Sequence, residues 1–157
     1  MITSPHWDLR YLELARLIAS WSKDPSTGVG ACLVDPDHRL VSLGYNGLPR
    51  GIDDHPERLH HRDTKLALTL HAEQNALLFA QRPVTGCTCY TWPLPPCSAC
   101  SALLIQAGIG RIVSVTPAPA IAYRWGQSLA QGAAILDEAR IPRDLYRHDL
   151  LDRHCDD

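Results

Sequence analysis

The sequence predicts an α/β fold around a mixed β-sheet, on three observations. Strand-like and helix-like patterns alternate from Cys87 to Tyr146, the order that right-handed crossovers between parallel strands require. Two strand patterns, Val29 to Asp35 and Leu40 to Tyr45, are linked through Pro36-Asp37-His38, which reads as an antiparallel hairpin. Near the start, Tyr11, Leu14, Ala15 and Ile18 recur at the i, i+3, i+4, i+7 spacing of a buried helical face.

In chain order, Ser4-Pro5 is a helix start, a hydroxyl N-cap followed by proline at the first helical position. Pro25 and Gly28 punctuate the chain before the hairpin. Between Asn46 and Lys65 the pattern dissolves into Gly, Pro, Asp, His and Arg, which predicts a long polar loop of functional character with a short helical piece near Glu57 to His61. Leu70 to Gln81 has helical spacing and stops before Pro83, and Cys87 to Thr91 is a short strand. Trp92 to Pro96 makes a proline-rich turn into a helix from Cys97 to Ala107, which Gly108 ends at the C′ position. Ile112 to Val115 is the next strand. Trp125, Leu129, Ala133 and Leu136 mark an amphipathic helix closed off by Pro142, and a last strand includes Leu145 and Tyr146. From about Asp149 the tail is expected to be poorly ordered.

The chain of 157 residues is one domain's worth, with 45% apolar and 20% charged residues, and a single domain over 1–157 is expected. A net charge of -2 counts against a nucleic-acid or membrane partner. The start has neither a charged segment followed by an apolar one nor a membrane-length run, so the expected location is cytoplasmic. Six cysteines without a secretory signal do not suggest a disulfide framework. Cys32 lies in an apolar strand and reads as core, Cys87 and Cys89 should share a sheet face, and Cys155 falls in the polar tail.

Cys97 and Cys100 form a Cys-x-x-Cys pair, which by itself means zinc or redox chemistry. In a helix's first turn both thiols face one way, and the positive end of the helix dipole favours the thiolates a metal needs. His71 adds an imidazole, and two sulfurs with one nitrogen suit tetrahedral zinc with one position open for water. Glu73 follows two residues after His71, a spacing that on a helix flank points the two apart. Both reach one centre only if it sits off the helix's N-terminal end, so two helix starts should converge there. A carboxylate beside the metal, and not on it, is what a proton shuttle requires. The competing reading is structural zinc, with a fourth ligand from His55, His60 or His61. A redox pair leaves the His-x-Glu unexplained.

His-x-Glu followed by Pro-Cys-x-x-Cys is the signature of zinc nucleobase deaminases. At these residues the chain resembles the cytidine deaminase superfamily, in its deoxycytidylate (dCMP) deaminase branch. The resemblance extends over Ser22 to Ala31, Gly44 to Gly51, His71 to Ala76, Ile105 to Ile109 and Arg111 to Val113, within about residues 10 to 115. It implies a three-layer α/β/α fold with a five-stranded mixed sheet. It also implies one catalytic zinc per chain on His71, Cys97 and Cys100, with Glu73 catalytic, and hydrolysis of dCMP to dUMP and ammonia. Asn46 would contact the sugar, Ala72 would lie against the substrate, and Ser22, Lys23, Ser26 and Arg50 would be candidates for the 5′-phosphate. For Lys23 and Arg50 the alternative is a solvated loop charge, and for Gly44 to Gly47 simply a turn.

The sequence departs from the branch at Thr91 to Pro95, where Trp92 either lines the pocket or packs under the turn, and after Val115, where the fit is loose. Three alternative functions stay open: deamination of another free base or nucleoside, deamination of tRNA adenosine, and a zinc-stabilised nucleotide-binding module. The resemblance also implies a homo-oligomer, a dimer or larger closed ring.

Overall fold

The computed structural model describes residues 5–154. Helix α1 (Pro5–Ala19) leads into a hairpin of β1 (Gly30–Val34) and β2 (Leu40–Tyr45). Two short helices, α2 (Pro56–His60) and α3 (Arg62–Leu68), precede α4 (Ala72–Phe79). Next come β3 (Thr88–Trp92), α5 (Ser98–Gln106), β4 (Arg111–Val115), α6 (Pro119–Glu138), β5 (Arg143–Tyr146) and α7 (His148–His154). The five-stranded sheet has the order β2-β1-β3-β4-β5. β1 runs antiparallel to β2 and β3, while β3, β4 and β5 are parallel, so α5 and α6 are the crossovers.

Strand alternation sorts the side chains into two cores. Ala31, Leu33, Cys89 and Ile112 face one side and pack with Ala76 of α4, Leu104 of α5 and Leu136 of α6. Cys32, Val34, Tyr90, Val113 and Val115 face the other and pack with Leu12 and Ala15 of α1 and Leu151 of α7. The result is the expected three-layer α/β/α arrangement. Cys32 is core, and Cys87 and Cys89 belong to one cluster, as their spacing predicts.

Gly44 fixes where α4 begins. A Cβ there would lie 2.4 Å from the Ala72 carbonyl oxygen and 2.5 Å from the Ala76 nitrogen, so only glycine lets α4 lie this close to β2. On the opposite face, buried Asp8 of α1 accepts from Arg111 Nη1 and Nη2 (2.8 and 2.7 Å), Tyr90 OH (2.8 Å) and Tyr146 OH (2.7 Å). This knot ties α1 to β3, β4 and β5. Burial raises the Asp8 carboxyl, but these donors, Arg111 foremost, outweigh it and hold it below the usual carboxylate range.

One expectation is corrected. The stretch 46–65 is not simply loop with one helical piece: α3 follows α2 after a single residue, His61, whose ring accepts the Thr64 N–H. Of the tail from about Asp149, the described residues to 154 belong to α7. Leu151 is buried against the α1 face and Asp152 pairs with Arg16 at 2.8 Å, which folds the segment into α7. Ser4, the expected first N-cap, and Cys155 lie outside the described residues.

Candidate active site

Two helix starts converge, as the spacing of His71 and Glu73 requires. His71 is the N-cap of α4, and its backbone N–H donates to the Gln74 side chain at 2.7 Å. Ala72 and Glu73 are then the first two helical residues. Cys97 is the N-cap of α5, with extended backbone (φ −68°, ψ 173°), and Cys100 lies one turn on. This shifts the expected helix start by one position: Cys97 caps the helix, which begins at Ser98. His71 Nδ1 lies 3.4 Å from Cys97 Sγ and 3.3 Å from Cys100 Sγ, and the three donor atoms fall within 4.8 Å of one another.

This donor set fits zinc, since two sulfurs and an imidazole nitrogen are borderline-to-soft ligands. Among the described residues no other His, Cys, Asp or Glu joins the group. The three loop histidines do not supply a fourth ligand: His60 Nδ1 is bonded to the Pro56 carbonyl, the His61 ring to Thr64, and His55 pairs with Asp53. A site of three donors keeps a coordination position open. The Cys100 thiol, followed by His71, holds Cys97 as a thiolate, down at about 4 against the effect of burial. The same contact pushes the Cys100 thiol up, and Cys97 raises His71. Glu73 is buried beside the group, and burial lifts its carboxyl above the usual value.

His71, Cys97 and Glu73 line a cavity of about 630 Å³, of the size that holds small-molecule ligands. Of the substrate contacts expected from sequence, Asn46, Ala72 and Ser26 line it. Ser22, Lys23 and Arg50 do not. Ser22 Oγ donates to the Asn46 carbonyl (2.8 Å), exposed Lys23 pairs with Asp54 (2.6 Å), and the Arg50 guanidinium lies over Phe79 (5.7 Å). Nearby partners draw each away from the cavity. Asn46 is committed too: its Oδ1 accepts the Val29 N–H (2.8 Å) and its Nδ2 donates to the Thr27 carbonyl (3.0 Å). It therefore holds the loop at 24–29 in place.

Residues missed in the sequence complete the walls. Lys65 of α3 is nearly buried and donates to Asp24 Oδ1 (2.9 Å) and Ser26 Oγ (2.8 Å). Arg62 also lines the cavity from α3, and Arg124 and Trp125 line it from α6. The Trp125 ring stands edge-on to the His71 imidazole with centroids 6.0 Å apart. Its place ahead of Leu129 and Ala133 in the apolar stripe concealed this role. Trp92 packs in the α1-side core against His148, which decides in favour of packing under the turn.

The family model for the cytidine and deoxycytidylate deaminase zinc-binding region matches residues 5–116. The chain is 38% identical over 145 residues to an uncharacterised deaminase of the luxG 3′ region of Aliivibrio fischeri, covering 92% of this chain and 97% of that one. It is 41% identical over 113 residues to the deoxycytidylate deaminase of Mus musculus, covering 68% of this chain and 63% of that protein. The chain thus spans less than two thirds of the mouse enzyme's length. In fold it resembles the dCMP deaminase of cyanophage S-TIM5, solved with dCMP and dUMP, with a TM-score of 0.72 at 21% identity over 92% of this chain and 99% of that one. With its His, Glu and Cys-x-x-Cys on two converging helix starts, the chain belongs to the cytidine and deoxycytidylate deaminase family, in the deoxycytidylate deaminase branch.

Proposed function

We propose that this protein catalyses the zinc-dependent hydrolytic deamination of a free pyrimidine nucleotide, dCMP to dUMP and ammonia, with one zinc per chain. The observation that carries this is the buried Glu73 carboxylate beside three converging donors, with Glu73, His71 and Cys97 lining the cavity. A purely structural zinc site gains nothing from an acid that is not a ligand. His71, Cys97 and Cys100 would hold the metal, which when bound supplies Lewis acidity and a nucleophile at neutral pH.

The protein's own groups do the rest. Glu73 takes one proton from the attacking water and delivers it to the ring nitrogen, then takes the second from the new C4 hydroxyl and delivers it to the departing amine, so water and the 4-amino ring become the 4-oxo ring and ammonia. Burial of Glu73 keeps bulk water from competing for that proton. Trp125, Leu94 and Pro95 give the ring an apolar surround, and Asn46 holds the loop that shapes the opposite wall. The names and folds of the relatives support the nucleotide over a base, and the net charge of -2 counts against RNA. The thiols at 97 and 100 must stay reduced, which suits the cytoplasm. Exposed Leu78 and Phe79 on α4, with Leu103 on α5, suit contact with a second copy of the chain.

The test is ammonia release from a panel of cytosine, cytidine, deoxycytidine, dCMP, dCTP, adenosine and guanine. The expected result is turnover of dCMP above the others. Turnover of none, or of a purine alone, refutes the reading, and sedimentation of the purified protein as a monomer refutes the self-association.

A further inference from the structure

We propose that Arg124 of α6 selects a substrate bearing a phosphate monoester on its sugar, by pairing with that phosphate at the cavity wall; this rests on the deaminase reading above. α6 lies beyond residues 5–116, so this side of the cavity comes from outside the segment the family model matches. Two contacts fix the helix against the metal-ligand helix. Ser128 Oγ accepts the Ser98 N–H at 3.1 Å, at the first residue of α5. A Cβ on Gly132 would lie 2.9 Å from the Pro96 carbonyl oxygen and 2.7 Å from Ser101 Oγ, so the two helices touch there. Neighbouring residues on a helix point in different directions. Trp125 accordingly meets the His71 ring, while Arg124 turns to the loop at 24–27 and donates from Nη2 to Thr27 Oγ1 at 3.0 Å. Both side chains line the same cavity, so a ring against Trp125 lies within the space that Arg124 borders.

Three other cations in this region are already committed. Lys65 is neutralised by Asp24, Lys23 by Asp54, and Arg50 is stacked on Phe79. Arg124 has no carboxylate partner among the described residues. Its single bond is to a neutral hydroxyl, which leaves four of the five guanidinium donors. A phosphate offers charge-assisted, two-pronged bonds roughly twice as strong as that one. Arg62, which lines the cavity from α3 and likewise has no ion-pair partner among the described residues, is placed to give a second contact.

The experiment compares dCMP with deoxycytidine in wild type, in Arg124→Gln and in the remote control Arg39→Gln. It also compares binding of the products dUMP and deoxyuridine by calorimetry. Wild type should prefer dCMP by about ten- to a hundredfold or more in kcat/KM, the value of one or two charged hydrogen bonds. Arg124→Gln should lose at least about tenfold of that preference, through a rise in KM for dCMP. The same variant should bring dUMP affinity down toward that of deoxyuridine, and Arg39→Gln should change nothing. If the preference survives in Arg124→Gln, or if wild type treats both substrates alike, the inference fails while the deaminase reading stands. If wild type releases no ammonia from any pyrimidine, both fail together.

Discussion

Replacing Lys65 with methionine keeps the length and apolar stem of the side chain and removes the ammonium that joins α3 to the cavity wall. Lys65 and Asp24 side chains are only 9% and 12% exposed. Asp24 Oδ1 accepts not only from Lys65 Nζ but also from the N–H groups of Ser26 (2.8 Å) and Thr27 (3.3 Å). Without the ammonium, a nearly buried carboxylate keeps its backbone donors but loses its counter-charge. Breaking a buried pair from one side costs about 3–5 kcal/mol. The surviving backbone bonds put Lys65→Met at the lower end, about 3 kcal/mol. With a urea m-value of about 1–3 kcal/mol/M, the unfolding midpoint should fall by about 1–3 M. Adding Asp24→Asn removes the orphaned charge, so the double variant should recover at least about 1 kcal/mol relative to the sum of the singles. Because α3 and the 24–27 loop form one wall, KM for dCMP should rise in Lys65→Met by a larger factor than kcat falls. A loss below about 1 kcal/mol, or strictly additive single effects, would show that Lys65 is only a solvated surface charge.

Glu73→Gln should retain zinc and fold but lose at least about 10²–10⁴-fold in turnover, since it removes the proton carrier; near-normal steady-state rates would falsify that role. Elemental analysis of the native protein should give one zinc per chain, and Cys97→Ala or Cys100→Ala should lose both the metal and much of the stability. A stoichiometry near zero in native protein contradicts the metal assignment. Titrating zinc into chelator-stripped protein in weak buffer should release protons, because the Cys100 thiol and His71 are both held toward their protonated forms; an unchanged pH counts against all three residues as ligands. Asp8→Asn should destabilise by about 3 kcal/mol at neutral pH. The folded-state pKa of Asp8 is depressed, so its contribution is complete above the unfolded value near 4 and is lost as pH falls through the lower folded value. The deficit of the variant should therefore shrink below about pH 4, and a deficit constant from pH 7 to pH 3 would contradict the knot as described.

Local pattern made the sheet and the metal group legible. Ala31, Cys32, Leu33 and Val34 go alternately to the two cores, and a period of two is visible in any short window of sequence. His71, Glu73, Cys97 and Cys100 are readable because ligand chemistry and N-terminal geometry together restrict both residue type and spacing. α3 was harder to see. Its seven residues include exposed Leu66 and Leu68, and the residue that anchors it is a charged one, Lys65, whose partners lie 41 and 39 positions away. Propensity and periodicity carry no record of such a bond. α7 was hidden in the same way, since Leu151 becomes a core residue only once α1 is in place.

The polar residues of the substrate side illustrate a different difficulty. A cation in a polar loop looks alike in sequence whether it faces a cavity or a neighbouring carboxylate, and the 2.6 Å pairing of Lys23 with Asp54 spans 31 residues. The resemblance makes Asn46 a sugar contact, and its amide can donate and accept at once. The fold spends both functions on the backbone of Val29 and Thr27. That assignment has a mechanical consequence. Asn46 fixes Thr27, Lys65 fixes Asp24 and Ser26, and Arg124 reaches the same loop through Thr27 Oγ1. Three elements far apart in the chain, the end of β2, α3 and α6, therefore set the position of one four-residue segment. The candidate metal ligands come from two helix starts whose geometry is local, but the 24–27 wall of the cavity is built from long-range bonds. Loss of the Arg124 bond to Thr27 should thus move this wall while leaving the two helix starts in place.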